Sequence, residues 1–347
     1  MKYFAKLCKW LAPMAVALSL STITSSAQAQ DAEAAYYKGK TVRFIVGFGP
    51  GGGYDTYARM IAPYIAKALG ATVVVENQPG AGGISALNNL VAAPKDGLQI
   101  MHLNGSAAAL SQVLALQGVR YDLTKLGQLG TVSLSPFVWL DKAGSPIKTV
   151  QDAINAHKKL SWASAGAIDV LSAGAAFTCQ GLKLDCSIVP GYAGSNEAAL
   201  AISKGEMDAM YVSDVSANDY VKSGQTQAVT TIARKRSPFF PDTPTIFEAA
   251  QLGADQEFLF DYYAAMGDLS RIIVAPPDLP PARLAFLQAA VKKALTDADL
   301  VAQGQKTQFY VNYLDPNATS AAVAKVVGSL TPEQRDKVKA VLSTAVK

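Results

Sequence analysis

Hydrophobic and polar positions follow two periods along this chain, and the change from one to the other marks out the elements. Thr41-Val42-Arg43-Phe44-Ile45-Val46 reads as a strand and runs into a glycine-rich turn, Gly47 to Gly53. Beyond it Tyr57, Met60, Ile61, Tyr64, Ile65, Ala68 and Leu69 recur at steps of three and four, the apolar face of one helix. Val73-Val74-Val75 is the next strand, Asn77 to Gly83 turns into a helix through Leu90, and Leu98 to Leu103 is a third strand. Strand and helix in alternation predict a parallel sheet covered by helices. Phe137 to Leu140, Ser161-Trp162-Ala163, Ser187-Ile188-Val189, Ala209 to Val212, Ala228 to Ile232 and Arg271 to Val274 read as further strands, most of them separated by helical stretches. The C-terminal part is helical, with Pro280-Pro281 opening one segment and Ser329-Leu330-Thr331-Pro332-Glu333 capping another.

With 347 residues the chain is long enough for about two domains. Half its residues are apolar and 17% are charged, which excludes intrinsic disorder. The net charge of +4 resides largely in the first 29 residues, which hold Lys2, Lys6 and Lys9 and no acid. Without them 28 Lys and Arg face 27 Asp and Glu, so no basic face for nucleic acid is expected. Those 29 residues have the parts of a signal peptide: the lysines, an apolar run from Leu11 to Leu20, and the small-x-small site Ala27-Gln28-Ala29. A retained membrane anchor is the alternative, but the run falls short of the roughly 20 residues a span needs. Cys8 precedes the run and is badly placed for a lipid-modified mature terminus. The expectation is cleavage near Ala29 and a soluble protein in a bacterial periplasm.

Export bears on the cysteines. Cys179 and Cys186 remain, at a spacing that fits neither zinc nor a thioredoxin-type motif. They form either a disulfide stapling a short loop or two buried free thiols, and an oxidising compartment favours the bridge. His102 and His157 are the only histidines, too few and too scattered for a nucleophile with its base or for a metal cluster.

The first glycine turn carries more than one reading. Gly47-Phe48-Gly49-Pro50-Gly51-Gly52 matches G-x-G-x-x-G between a strand and a helix, and Glu76 closes the second strand where a dinucleotide fold would hold ribose. Pro50 removes a backbone donor from that loop, however, and an exported protein meets little NAD. The pattern then reads as general anion chemistry: unpaired N–H groups and a helix N-terminus that suit a carboxylate. Asp55, in the first helical turn, could hold a water or accept N–H bonds, and equally could be an ordinary helix-start carboxylate. Trp162-Ala163-Ser164-Ala165-Gly166 and Pro190-Gly191-Tyr192-Ala193-Gly194-Ser195-Asn196 are two more strand-to-helix loops of small residues.

Pro50-Gly51-Gly52-Gly53-Tyr54-Asp55 with Ala58-Arg59, then Val75-Glu76-Asn77-Gln78-Pro79-Gly80-Ala81-Gly82-Gly83 and Asp96-Gly97, resembles the periplasmic solute-binding proteins of tripartite tricarboxylate transporters, the Bug family. Gly205-Glu206-Met207-Asp208, Arg236, Pro241-Asp242-Thr243-Pro244-Thr245 and Glu248 extend the resemblance over nearly the whole chain. It implies an α/β, two-lobed Venus-flytrap fold of the type II periplasmic-binding-protein class, each lobe a mostly parallel sheet flanked by helices. The crossings near Leu140 and Arg271 give a first lobe of residues 30–139 and 271–347 and a second of 140–270. It also implies a monomer without cofactor or metal that captures a small organic carboxylate and passes it to the transporter's membrane permease. Carried over residue by residue, Phe48, Gly49, Gly51, Gly52 and Gly53 with Asp55, facing Ser164, Ala165 and Gly166, would grip the near carboxylate. Tyr192, Gly194, Ser195 and Asn196 would complete that side with Asp208 supporting the loop, while Asn77, Asn104 and Ser106 would face the far end. Neither gripping loop contains arginine or lysine, so N–H groups must meet the charge.

The chain departs from the family in two places. It lacks the lysine of a Pro-Tyr-Lys-Gly run after Pro190, and Phe258 to Ser270 is longer and more aromatic than usual. Tyr262 and Tyr263 there read as core packing of an inserted helix. The other function class is an exported enzyme acting on a small organic acid through Asp55 and Asp208 as acid and base.

Overall fold

The computed structural model describes residues 30–164, 170–192 and 194–344. The expected signal peptide, and Ala165 and Gly166 of the second gripping loop, lie outside them. After a helix over residues 30–37, the first half runs β1 (Thr41–Val46), α1 (Gly53–Leu69), β2 (Thr72–Asn77), α2 (Ile84–Val91), β3 (Gln99–Leu103), α3 (Gly105–Val113), β4 (Gly127–Ser133) and β5 (Phe137–Lys142). Then come α4 (Val150–Asn155), β6 (Leu160–Ala163), α5 (Val170–Leu182), β7 (Cys186–Val189), α6 (Ser195–Lys204), β8 (Ala209–Ser213), α7 (Asp214–Lys222) and β9 (Thr226–Ile232). The chain closes with α8 (Ile246–Ala249), α9 (Ala254–Asp268), β10 (Arg271–Ala275), α10 (Pro281–Leu295), α11 (Ala298–Thr307), α12 (Pro316–Val323) and α13 (Pro332–Thr344).

Among the described residues ten strands form two five-stranded sheets, ordered β2-β1-β3-β10-β4 and β7-β6-β8-β5-β9. In the first, β1 pairs in parallel with β2 and β3, and β10 is antiparallel to β3 and β4. The second repeats this pattern: β6 is parallel to β7 and β8, and β5 is antiparallel to β8 and β9. In each sheet the antiparallel strand is the first one laid down after the chain has crossed from the other. The result is a two-lobed α/β architecture, one helix-flanked sheet to each lobe.

This topology fixes where a ligand can sit. Only residues 134–136 separate the end of β4 from the start of β5. The end of β4 lies on the same edge as the ends of β1, β2 and β3, and β5 starts on the edge where β6, β7 and β8 end. The C-terminal edges of both sheets therefore meet at the crossing, and their strand-to-helix loops open into the space between them. Open α/β sheets bind ligands outside the carboxyl ends of their strands.

Three expectations about the segments need correction. The boundary at residues 139 and 140 falls inside β5, because the backbone leaves the first sheet at Ser133 and enters the second at Phe137. Residues 271–347 do not all stay with the first lobe, since α13 packs on α5 and its Val338, Val341 and Leu342 share a core with Phe177. Strand β4, absent from the sequence reading, has Gly127 and Gly130 in place of an apolar run; a Cβ at Gly130 would come within 2.8 Å of the Tyr313 ring. That close approach, with φ of +135°, requires glycine in a strand.

The core that spans the crossing is aromatic. Trp139, Trp162 and Tyr211 pack from the second sheet, and α9 inserts Phe260, Tyr262, Tyr263 and Met266, all buried. Tyr263 lies 4.8 Å from the Phe137 ring and 5.1 Å from Phe177. A second cluster, between the first sheet and helices α1 and α10, contains the helical stripe Tyr57, Ile61, Ile65 and Leu69.

Candidate functional site

The loop after β1 is shaped by what its glycines face. At Gly47 a Cβ would lie 2.7 Å from Gly83 Cα, so the turns after β1 and β2 touch backbone to backbone. Gly49 and Gly53 face open space, and a Cβ on Gly52 would meet only Gly49 O at 3.7 Å. Gly52, at φ −77° and ψ 168°, begins α1, so the loop stands at the N-terminus of a 17-residue helix. Among the described residues the N–H groups of Gly49, Gly52 and Gly53 meet no acceptor. Unpaired donors on an open face at the positive end of a helix suit a carboxylate.

Asp55 holds this loop from behind. It is 3% exposed and accepts hydrogen bonds from Gly51 N at 2.9 Å, Arg59 Nε at 2.9 Å and Asn77 Nδ2 at 2.9 Å. The Arg59 hydrogen bond, helped by Gly51 N–H and Asn77, outweighs burial and lowers its pKa to about 2. Asn77 also donates to Phe48 O at 3.0 Å, and its Oδ1 accepts from Arg59 at 3.0 Å. The expectation that Asn77 faces the far end of a ligand is thus corrected: its amide is fully occupied bracing the loop. Glu76 forms a two-pronged pair with Arg43, both contacts at 2.6 Å, and accepts from Gln78 at 3.0 Å. A ribose would have to displace that arginine.

Of the other residues on this side, Asn104 caps α3 by accepting from Ala107 N at 3.1 Å. Ser106 is completely buried and donates to Met266 O at 2.5 Å, so it ties α3 to α9 and cannot reach a ligand, a second correction. Across the cleft, buried Ser164 donates its N–H to Val189 O at 3.0 Å, and its carbonyl accepts from Tyr192 N at 3.3 Å. These bonds join the loops after β6 and β7. Half-buried Tyr192 packs on the outer core of the second sheet. Gly194 opens α6, whose Ser195 Oγ and Asn196 Oδ1 both face the Tyr220 hydroxyl, at 3.0 and 2.6 Å. Asp208 is the third correction. It precedes β8 and binds Ser161 N at 2.9 Å and Lys158 Nζ at 2.8 Å, on the sheet edge opposite the loops.

Sequence reasoning missed the residues at the floor of the cleft. Tyr54 stacks on Phe48 at 4.8 Å and donates its hydroxyl to Ser270 O at 2.6 Å, across the return crossing. Its carbonyl lies 3.1 Å from Nδ1 of His102, a fully buried ring that burial pushes down to a pKa of about 3 and so keeps neutral. Arg271, the first residue of β10, has its guanidinium 5.6 Å from the Tyr54 ring and 4.9 Å from the Tyr57 ring, and Nη1 donates to Ser135 Oγ at 2.5 Å. Nothing local in Arg271-Ile272-Ile273-Val274 signals this role, because its neighbours come from more than 130 positions away.

A cavity of about 690 Å³ lies at the crossing, lined by Leu134, Pro136, Asp214, Ala233 to Arg236, Asp268, Asn312 and Lys325 among others.

Residues 57–327 match the family model described as tripartite tricarboxylate transporter family receptor. Protein BugT of Bordetella pertussis is 26% identical over 274 residues, covering 76% of this chain and 79% of that protein. A UPF0065 protein of a Pseudomonas species is 27% identical over 290 residues, covering 82% of each. Among solved structures, MatC from Rhodopseudomonas palustris with bound malate superposes with a TM-score of 0.61 at 27% identity, covering 87% of this chain and 99% of MatC. A ligand-free TctC solute-binding protein from Polaromonas gives a TM-score of 0.71 at 19% identity, covering 88% of this chain and 99% of its own.

Proposed function

The chain belongs to the tripartite tricarboxylate transporter family of receptors, and from that premise we propose that it captures a small organic carboxylate between its lobes and delivers it to the membrane permease of such a transporter. The observation that carries this reading is the open glycine loop: three N–H groups without an acceptor among the described residues, at the start of a long helix, on the edge that faces the other lobe. Charge-assisted hydrogen bonds contribute about 1.5–3 kcal/mol each, and a helix N-terminus up to about 2 when partly buried. Several together reach micromolar affinity, near −8 kcal/mol, after ordering costs. That MatC holds malate supports an acid of this size. Residues 1–29 are read as the leader that sends the protein to the periplasm, where it acts as a monomer.

The matched family is one of receptors, not enzymes. Acid/base catalysis by Asp55 with Asp208 is also disfavoured by placement, since Asp55 starts α1 beside the first sheet while Asp208 precedes β8 of the second, on the edge away from the cleft, and each is held by a cation.

The test is calorimetric titration of the mature protein with the acids that stabilise it in a thermal-shift panel, repeated on Gly52→Val. Backbone at φ −77° and ψ 168° accepts valine, and the space around Gly52 is open, so the variant should fold. Its branched side chain would cover the N–H groups and abolish binding. Wild-type affinity in this variant would place the site elsewhere.

A further inference from the structure

We propose that the cavity at the crossing is a second binding site, separate from the glycine loop, and that it takes a small organic cation, a primary ammonium on a short apolar body, with Asp268 as its counter-ion. None of residues 47–55 lines this cavity. Its walls come from both lobes: Ala233 to Arg236 from the end of β9, Asn312 to Leu314 from the chain that bridges to β4, and one face of α9. At about 690 Å³ it has the size of a small-molecule site.

The wall carries charges of both signs, and Asp268 is the one left unanswered. Arg234 pairs with Glu257 at 3.1 Å and Asp261 at 2.7 Å, Lys325 also pairs with Asp261, and Arg236 pairs with Glu248 at 3.0 Å. Asp214 is 3% exposed, and its oxygens accept from Ser237 Oγ at 2.8 Å and Val215 N at 2.9 Å. Lys235 is exposed, so water meets its charge. Asp268 is half-buried, and its carboxyl has neither a hydrogen-bond nor an ion-pair partner among the described residues. It is also the last residue of α9, where the helix dipole is negative and disfavours a carboxylate. Thr131 donates its Oγ1 to Asp268 O at 3.3 Å and its N–H to Leu314 O at 3.0 Å, which brings the end of α9 near Tyr313. The Tyr313 hydroxyl is buried and likewise has no partner.

An acid held half out of water, without a donor and at the wrong end of a helix, costs stability, and groups kept at such a cost gather at binding sites. An ammonium answers the carboxylate and the helix end together, and the Tyr313 oxygen can accept a further hydrogen from it. A metal ion needs several ligands, and no group of three His, Cys, Asp or Glu side chains that could hold one occurs among the described residues. The rest of the wall calls for an organic body. Ala264 and Ala265 lie one turn before Asp268 on the same face of α9, and Leu134, Pro136 and Leu314 add apolar surface. An anion would find no free cation there except exposed Lys235.

The probes are benzylamine and isopentylamine against benzyl alcohol and isopentyl alcohol, titrated calorimetrically at pH 7.5, where Asp268, raised by burial to about 6, is ionised. In wild type the better amine should bind about 10- to 100-fold tighter than its alcohol. Asp268→Asn keeps the shape of the side chain and removes its charge, and should erase that preference. Ala264→Phe fills the cavity from the same face of α9 and should abolish amine binding while carboxylate titrations stay at wild-type affinity. Equal affinity of wild type for amine and alcohol, an undiminished preference in Asp268→Asn, or wild-type amine affinity in Ala264→Phe overturns the inference. The carboxylate receptor stands in each of these cases, because its own test uses different ligands and a different loop.

Discussion

At the scale of single residues, the contrast between two glycines separates scaffold from site. Gly47 has a backbone neighbour where its Cβ would go, whereas a Cβ on Gly52 would make only an ordinary contact with Gly49 O at 3.7 Å. Gly47→Ala should therefore destabilise the protein by about 1–3 kcal/mol through overpacking, while Gly52→Val leaves stability nearly unchanged; denaturant titration of both checks the pair. Asp55 is the loop's brace. Asp55→Ala strands Gly51 N–H, Asn77 and Arg59, and should cost about 1–3 kcal/mol of stability and weaken binding modestly without abolishing it. Its folded pKa, about 2, lies below the ordinary 3.8. Its stabilisation is thus complete above the unfolded pKa and fades as pH falls through the folded one. The difference between wild type and Asp55→Ala should be constant from pH 5 to 8 and shrink below pH 3. Denaturation across that range measures it, and a difference that persists at pH 2 would refute the ion-pair origin.

At the scale of elements, the joints between helix and sheet decide the outcome. A disulfide joins Cys179 in α5 to Cys186 at the start of β7, with Cα atoms 6.1 Å apart. Closing so short a loop stabilises by about 2–3 kcal/mol on the chain-entropy estimate. Replacing both cysteines with serine should lower the unfolding free energy by that amount, and alkylation of native, unreduced protein should find no free thiol. Either an undiminished stability or two alkylated cysteines would contradict it. Helix α9 is the other joint. Its buried Tyr262 and Tyr263 face the second lobe, and its last turn receives Ser106 from the first, so it belongs to both. The aromatic segment Phe258 to Ser270 predicted core packing of an inserted helix at Tyr262 and Tyr263; that the core in question bridges two lobes was not legible, since it depends on α3, α5 and α13 converging there.

At the scale of the whole molecule, closure and protonation should be visible in solution. A ligand that bridges the lobes must prefer the closed form, or it cannot shift the balance. Small-angle scattering should show a smaller radius of gyration with saturating acid, and an unchanged profile would mean a rigid pocket in one lobe. Around the crossing, burial raises Asp214 and Asp268 to about 6. With folded pKa values above the unfolded ones, each contributes stability below about pH 4 that is lost as pH rises through 6. Asp268 borders the 690 Å³ cavity and has no hydrogen-bond partner for its carboxyl among the described residues. Asp268→Asn should raise stability by about 1–2 kcal/mol at pH 7.5 and change it little at pH 4, measured by denaturation at both. Equal effects at the two pH values would remove titration as the cause.

The sequence alone determined whatever is written locally. The strand of β1 and the helical stripe of α1 follow from side-chain periodicity, and the anion character of Gly47 to Gly53 follows from a glycine-rich turn opening a helix. Motifs in order along the chain carried the family. Tertiary structure decided whatever depends on which edge of a sheet a residue reaches. Asn77 and Asp208 sit in equally suggestive motifs, yet one braces the loop and the other lies on the far edge. Ser106 is one residue past the helix cap Asn104-Gly105 and is sealed under α9. Arg271 looks like the ordinary start of a buried strand. It comes to lie against Tyr54 and Tyr57 only because β10 is laid antiparallel between β3 and β4, which brings its first residue to the edge where the parallel strands end. Local patterns fix how a segment folds, but long-range pairing fixes what it faces.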